Sequence, residues 1–217
     1  MTMTLAFSAI ILSALVAIPL GTIAAIKENK ATDYAVLTVS ILAVTIPTFV
    51  LAPLLVYIFA LRLDYLPQTW DNPLRGPFIY YLILPVSILA ARPTATLVRL
   101  TRSSVLETMR QEFVRLAIAK GVSPLNLYVK HVLRNALLPV VTALGTNFGY
   151  LLGGSFIIET FFRLPGVGSR TIEAMLSRDT PVIQGCIIAT GALFVLVNLL
   201  VDIAVPILDP RVRGGAL

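Results

Sequence analysis

Glu107–Pro139, with the sequence ETMRQEFVRLAIAKGVSPLNLYVKHVLRNALLP, is too polar to cross a membrane and too regular to be a flexible loop. Gly121 is typical of a helix C-terminus. Ser123 with Pro124 is typical of a helix start, with Ser as the N-cap and Pro at the first helical position. The stretch is therefore predicted to form a helix, a glycine turn and a second helix. The predicted apolar faces comprise Met109, Phe113, Leu116 and Ala117 in the first helix, and Leu125, Val129, Val132 and Ala136 in the second.

The sequence on both sides of this stretch is strongly apolar. Of the 217 residues, 57% are hydrophobic and only 13% are charged, whereas about 25% of the residues of a soluble protein are charged. Five runs are long enough to cross a bilayer, which takes about 20 apolar residues. The sequence therefore predicts one all-α membrane domain over residues 1–217. Its predicted spans are roughly Thr4–Ile26, Tyr34–Leu61, Phe78–Leu100, Ala136–Phe161 and Val182–Leu208, with a loop over 107–135.

Lysine and arginine are distributed unevenly between the two sides of the predicted membrane. One side has 11 of the 17 basic residues, the other has 5, and Arg92 lies inside the third span. Because basic loops stay in the cytoplasm, the 107–135 loop and the C-terminus are predicted to be cytoplasmic and Met1 external. An external start without a signal peptide suggests that a first helix is missing upstream. The alternative is a short N-terminal tail that crosses unaided.

Several classes of function lack their characteristic residues. The single cysteine, Cys186, excludes an intrachain disulfide, and His131 is the only histidine, so we expect no metal and no cofactor. The sequence has no GxxxxGK[ST], HExxH or GxSxG motif, so the chain is not expected to bind ATP itself or to be an enzyme. The formal net charge of +6 comes without interleaved aromatic residues, so a nucleic-acid partner is not expected.

The 107–135 loop resembles the EAA loop of permease subunits of binding-protein-dependent ABC importers. Its variant RLAIAKG…HVLRNALLP is similar to the oligopeptide, dipeptide and nickel branch, in which Arg115-Leu116-Ala117 takes the place of Glu-Ala-Ala. Other segments fit the same family, so the resemblance covers nearly the whole chain. They include Thr45-Ile46-Pro47-Thr48-Phe49, Leu151-Leu152-Gly153-Gly154-Ser155, Glu159-Thr160, Leu164-Pro165-Gly166-Val167-Gly168, Arg178-Asp179-Thr180-Pro181 and Leu208-Asp209-Pro210-Arg211.

The resemblance implies a MetI-like permease subunit that forms the translocation path for peptides or a related small solute across a prokaryotic plasma membrane. The implied partners are a second permease subunit, two cytoplasmic ATP-binding subunits, an external substrate-binding protein and the lipid bilayer. The loop would be the coupling helix that docks on the ATPase. The residues implied in this coupling are Phe113, Arg115, Leu116, Ala117, Lys120, Gly121, His131, Arg134, Asn135 and Pro139.

Alternatives remain open from the residues alone. The loop also fits an amphipathic helix that lies on anionic lipid, and a secondary transporter or channel without an ATPase is the second candidate function. Arg92, a charge inside a span, lines the translocation path, pairs with a carboxylate such as Asp202, or extends to the membrane surface. Glu159 is expected to cap or pair near the end of a span. The spacing of Gly145, Gly149, Gly153 and Gly154 predicts close helix packing.

Overall fold

The computed structural model describes residues 1–71 and 77–208, apart from the surroundings of Gly154 and the side chains of Asp202 and residues 204–208. Every regular element in this part of the chain is helical. The elements are α1 (Thr2–Ile26), α2 (Ala31–Thr45), α3 (Thr48–Val56), the π-helical turn π1 (Tyr57–Arg62), α4 (Phe78–Met109), α5 (Glu112–Ala119), α6 (Pro124–Asn126), the π-helical turn π2 (Leu127–Val132), α7 (Leu133–Phe161), α8 (Val167–Ser177) and α9 (Thr180–Leu208).

Four stretches of helix in the described residues are long and apolar enough to cross a membrane: Thr2–Ile26, Phe78–Met109, Pro124–Gly153 and Thr180–Val201. They correspond to the first, third, fourth and fifth spans predicted from the sequence. A fifth crossing exists if α2 and the helix that follows it count as one bent span. The all-helical membrane fold predicted from composition is thus confirmed.

The second predicted span, Tyr34–Leu61, is not one straight helix. The chain leaves the helix at Ile46 and Pro47, which both have extended ψ angles of 118° and 142°. The helices before and after this break differ in direction by 101°. Proline has no N–H and disfavours the helical conformation of the residue before it, so Pro47 here breaks the helix rather than bending it.

The third and fourth spans are longer than predicted. α4 continues nine residues past Leu100 to Met109 and buries Thr101, Ser104, Val105 and Thr108 along one face. At the other side of the loop, α6, π2 and α7 follow one another without a gap from Pro124 to Phe161. The predicted second helix of the loop is therefore the extension of the fourth span. Pro139 lies inside α7, not at its start.

The core of the bundle is built on α1, α4 and α7. α1 and α4 approach closely at Gly21, where an added Cβ would lie 2.6 Å from the Val98 carbonyl oxygen. A second apolar cluster lies at the end of the bundle that includes residues 107–135, which we call the loop end. This cluster contains Ala25, Val105, Val114, Ala117, Leu127, Val132 and Ala136, so it joins α1 and α4 to the loop.

Candidate functional site

The loop segment, residues 107–135, is built mainly of helix and packs against the bundle through its inner face. α4 ends at Met109, Gln111 adopts an extended conformation, and α5 begins at Glu112. The single helix predicted to begin near Glu107 is thus divided between the end of α4 and α5. Only α5 leads into the Gly121 turn. Val114 and Ala117 of α5 are buried in the loop-end cluster, and Phe113 packs against it.

Gly121 makes the turn after α5. Its φ angle is +76°, in the left-handed region that costs other L-residues energy. Pro124 then occupies the first helical position after Ser123, as predicted. The Ser123 hydroxyl does not cap the helix backbone; it accepts a hydrogen bond from Asn126 Nδ2 at 3.0 Å.

The predicted apolar face of the second helix is wrong in part. Val132 and Ala136 are buried, but Leu125 and Val129 are 75% and 54% exposed, and Leu127 is buried instead. The reason is π2, because π-helical i→i+5 hydrogen bonding changes the spacing of inward-facing residues. Here Leu127 and Val132, five residues apart, both face the cluster.

The outer surface of the loop segment combines apolar and basic side chains. Leu116 and Ile118 of α5 are 62% and 58% exposed. The predicted coupling residues Arg115, Lys120 and Arg134 are also exposed. Of the remaining predicted residues, His131 and Asn135 are half-buried, and Asn135 Nδ2 donates to the His131 carbonyl at 2.8 Å. The segment thus presents a positively charged surface with an apolar centre, which suits a partner of complementary charge.

Ion pairs attach the loop end of α4 to the turn between α1 and α2. Arg102 Nε and Nη2 donate to the two carboxylate oxygens of Asp33 at 2.6 and 2.7 Å. The backbone N–H of Asn29 also donates to Asp33, at 2.9 Å. Arg110 lies 3.6 Å from the Glu28 carboxylate in a more exposed pair. The sequence gives no signal for the role of Asp33, because its partner Arg102 is 69 residues away.

Glu159, near the opposite end of the bundle, is fully buried. Its Oε2 accepts from the backbone N–H groups of Gly168 and Ser169 at 2.7 and 3.1 Å, which satisfies donors at the N-terminus of α8. The capping role expected for Glu159 is confirmed. α8 itself begins within the Leu164–Gly168 motif, at Val167, and packs against α7 and α9.

Arg92 lies in the middle of α4 and contacts α7. Its Nη1 donates to the Tyr150 hydroxyl at 3.1 Å, and its guanidinium carbon lies 4.8 Å from the centre of the Tyr150 ring. No ion pair of Arg92 occurs among the described residues, and the side chain of Asp202, a partner suggested by the sequence, lies outside them. Both Arg92 and Tyr150 are exposed on this chain.

A cleft of about 180 Å³ connects Arg92 and Tyr150 to the break after α2. Ile46, Pro47 and Thr48 line its other wall. The arrangement places a cation and a hydroxyl beside non-helical backbone, and the cation belongs to a helix that is long and apolar enough to cross a membrane. In the described residues no group of three or more His, Cys, Asp or Glu side chains is arranged to hold a metal ion.

The glycines predicted to pack closely do so in part. An added Cβ would lie 2.6 Å from Val201 at Gly145 and 2.0 Å from Phe194 at Gly149, so both glycines lie against α9. Gly153 has no such neighbour within 4 Å. The surroundings of Gly154 lie outside the described part of the structure.

Comparison with known proteins finds the same relationship along nearly the whole chain. Residues 17–214 match the family model described as "Binding-protein-dependent transport system inner membrane component". The chain is 41% identical over 210 residues to the dipeptide transport system permease protein DppB of Bacillus subtilis (strain 168). The alignment covers 96% of this chain and 66% of that protein. It is 42% identical over 217 residues to a putative peptide transport system permease protein of Brucella abortus (strain 2308), covering 98% of this chain and 68% of that protein.

One solved structure supports the fold. A chain from the inward-facing MetNI methionine ABC transporter superposes with a TM-score of 0.74, covering 96% of this chain and 93% of that chain, at 15% identity. The chain described here spans about two thirds of the length of the curated relatives that it matches.

Proposed function

The chain belongs to the family of inner membrane components of binding-protein-dependent transport systems, and we propose that it is a permease subunit of an ABC importer that moves peptides. The match over residues 17–214 is the observation that supports this proposal most strongly. The cargo is inferred from relatives that are named dipeptide and peptide permeases. The protein would work in the plasma membrane of a prokaryote, with its C-terminus in the cytoplasm.

The loop segment is the proposed site of coupling to the ATP-binding subunits. Its inner residues, Val114, Ala117, Leu127 and Val132, are fixed to the ends of α1 and α4 through the loop-end cluster. Its outer apolar residues, which include Leu116 and Leu125, are left for a partner. A rigid element that is attached on one side and free on the other transmits a movement of its partner to the helices behind it.

The remaining partners follow from the same function. A second permease subunit would complete the translocation path, two ATP-binding subunits would bind below the loop segments, and a substrate-binding protein would deliver the cargo from outside. The chain itself has no phosphate-binding loop, so ATP hydrolysis is assigned to the separate subunits. Arg92 is the residue that we place on the translocation path.

Co-purification tests the coupling role. The chain is co-expressed with its second permease and ATP-binding subunits, and the complex is isolated through a tag on this chain. Leu116→Arg places a charge in the proposed contact and is expected to lose the ATP-binding subunits. Leu176→Arg is the matched control, because Leu176 is 83% exposed on α8, at the opposite end of the bundle.

Two outcomes would contradict the proposal. If the unaltered chain never retains an ATP-binding subunit, a transporter or channel that works without an ATPase becomes the better interpretation. If Leu116→Arg and Leu176→Arg retain equal amounts of these subunits, the loop segment is not the contact, and an interfacial helix on anionic lipid would explain its charge.

A further inference from the structure

Two polar stripes run along neighbouring helices and meet at Arg92 and Tyr150. Residues three or four apart lie on the same face of a helix, and both stripes follow this spacing on exposed or half-buried positions. The residues of α4 that alternate with its stripe in the sequence, Ala95, Leu97 and Val98, are buried in the bundle. The stripe of α4 contains Arg92, Thr96 and Arg99, and that of α7 contains Thr142, Thr146 and Tyr150.

Lipid is not a suitable environment for this surface. Arg92 lies seven residues from Arg99, which is about 10 Å along the helix axis towards the middle of the span. An exposed guanidinium at that depth is costly unless it faces water or protein. Its contact with Tyr150 also holds the guanidinium inside the span, since Nη1 donates to the Tyr150 hydroxyl. The two stripes are therefore better explained by a water-filled path than by the bilayer.

The break between α2 and α3 supports the same conclusion independently. At Ile46 and Pro47 the backbone leaves the helix, and Pro47 has no N–H to complete the helical hydrogen bonds. Non-helical backbone at membrane depth is tolerated where it is covered by protein or lines a water-filled cavity. This break lines the cleft that also contains Arg92 and Tyr150.

The chemistry of the two stripes selects an anion. The sequence has no Asp or Glu between residues 92 and 103 or between residues 139 and 153, and the polar side chains that line the cleft are those of Thr48, Arg92 and Tyr150. The planar guanidinium presents N–H groups in a fork that fits a carboxylate. The Tyr150 hydroxyl accepts from Arg92, and its own proton is a further donor for an anion.

We propose that Arg92 and Tyr150 form a carboxylate-binding site on the wall of the translocation path, where they engage the terminal carboxylate of a passing peptide. This inference rests on the proposed function, because a peptide cargo is what would bring such a group to this site. A single arginine in a hydrated cleft binds the carboxylate and releases it again, as conduction requires.

Uptake of a peptide and of its amide tests the proposal. The complete importer is reconstituted in proteoliposomes with its binding protein, and ATP-driven uptake of trialanine is compared with that of trialanine amide. For each peptide the rate of a variant is divided by the rate of the unaltered complex, which cancels the preference of the binding protein. Arg92→Gln is expected to slow trialanine about tenfold, as the loss of a charge-assisted hydrogen bond predicts, and to leave the amide unchanged.

Two further variants sharpen the comparison. Tyr150→Phe keeps the ring under the guanidinium but removes the hydroxyl, so a smaller loss, also confined to trialanine, is expected. Arg62→Gln removes an exposed cation from π1, outside both stripes, and is expected to change neither rate.

The proposal is overturned if Arg92→Gln slows both peptides equally, since Arg92 would then hold helices or a partner subunit in place without recognising the carboxylate. It is also overturned if neither rate changes. An unaltered complex that hydrolyses ATP but moves neither peptide would instead refute the peptide cargo, and the carboxylate site with it.

Discussion

At the scale of single residues, Asp33 is a buried carboxylate whose two oxygens are both paired. Its side chain is only 1% exposed, and a buried carboxylate is stable only when its oxygens are paired. Arg102 supplies two hydrogen bonds and the Asn29 backbone a third. This pair fixes the start of α2 to α4.

Asp33→Ala is expected to destabilise the protein by about 2 kcal/mol, because Arg102 and the Asn29 N–H lose charge-assisted hydrogen bonds. For a chain of this size the melting temperature should fall by about 4–8 °C. Thermal unfolding of the detergent-solubilised protein measures the effect.

Asp71→Ala is the matched control for Asp33→Ala. Asp71 pairs with Arg163 at 3.3 Å, but both side chains are more than half exposed. Surface ion pairs of this kind contribute about 0–1 kcal/mol. If both variants lower the melting temperature equally, burial does not determine how much each ion pair contributes to stability.

At the scale of elements, short irregular pieces determine the site more than the long helices do. π2 rotates Leu127 and Val132 into the loop-end cluster and leaves Val129 outside. The break at Pro47 opens the cleft beside Arg92. Gly121 sets the angle between α5 and the helix that leads into α7, because no other residue in the described part of the loop segment has a positive φ angle.

Gly121→Val is expected to uncouple uptake from ATP hydrolysis. A β-branched side chain at a φ of +76° costs about 1–2 kcal/mol, which the short turn can relieve by changing the direction of α5. Peptide uptake by the reconstituted importer should fall, while capture of peptide by the external binding protein continues. Uptake and ATP hydrolysis are measured in the same vesicles.

Gly121→Asn provides the control, since asparagine tolerates the left-handed conformation. A Cβ at this position meets no atom within 4 Å, so the Cβ that both variants add is not crowded. If valine and asparagine have the same effect on uptake, the backbone conformation of the turn is not what coupling requires.

At the scale of the whole molecule, the orientation in the membrane remains to be tested. The excess of basic residues predicts that the loop segment is inside and that α8 is outside. Single cysteines at position 120, on the exposed end of α5, and at position 176, on α8, report the two sides. Both are introduced into a Cys186→Ser background, because Cys186 is half-buried in α9 and is the only native thiol.

A thiol reagent that does not cross membranes is expected to label Leu176→Cys in intact cells and to label Lys120→Cys only after the membrane is opened. Position 176 suits this test, because Leu176 is 83% exposed. The reverse order of labelling would overturn the orientation and, with it, the assignment of the loop segment to the cytoplasmic side.

The sequence by itself determined the fold class and four of the spans. Long apolar runs require a membrane whatever their neighbours are, and the Gly121 turn and the Pro124 helix start are local signals that depend on backbone conformation alone. The family was equally evident from residues scattered over the chain. The sequence was therefore sufficient where the conformation or environment of a segment depends on its own residues alone.

Only the tertiary structure decided which side chains face one another. Asp33 meets Arg102 across 69 residues, and Arg92 meets Tyr150 across 58. The predicted face of the second loop helix was wrong in part, because helical periodicity assumes a regular helix and π2 departs from it. These contacts depend on how distant helices pack and on where each helix is interrupted. The spacing of residues along one segment carries no information about either.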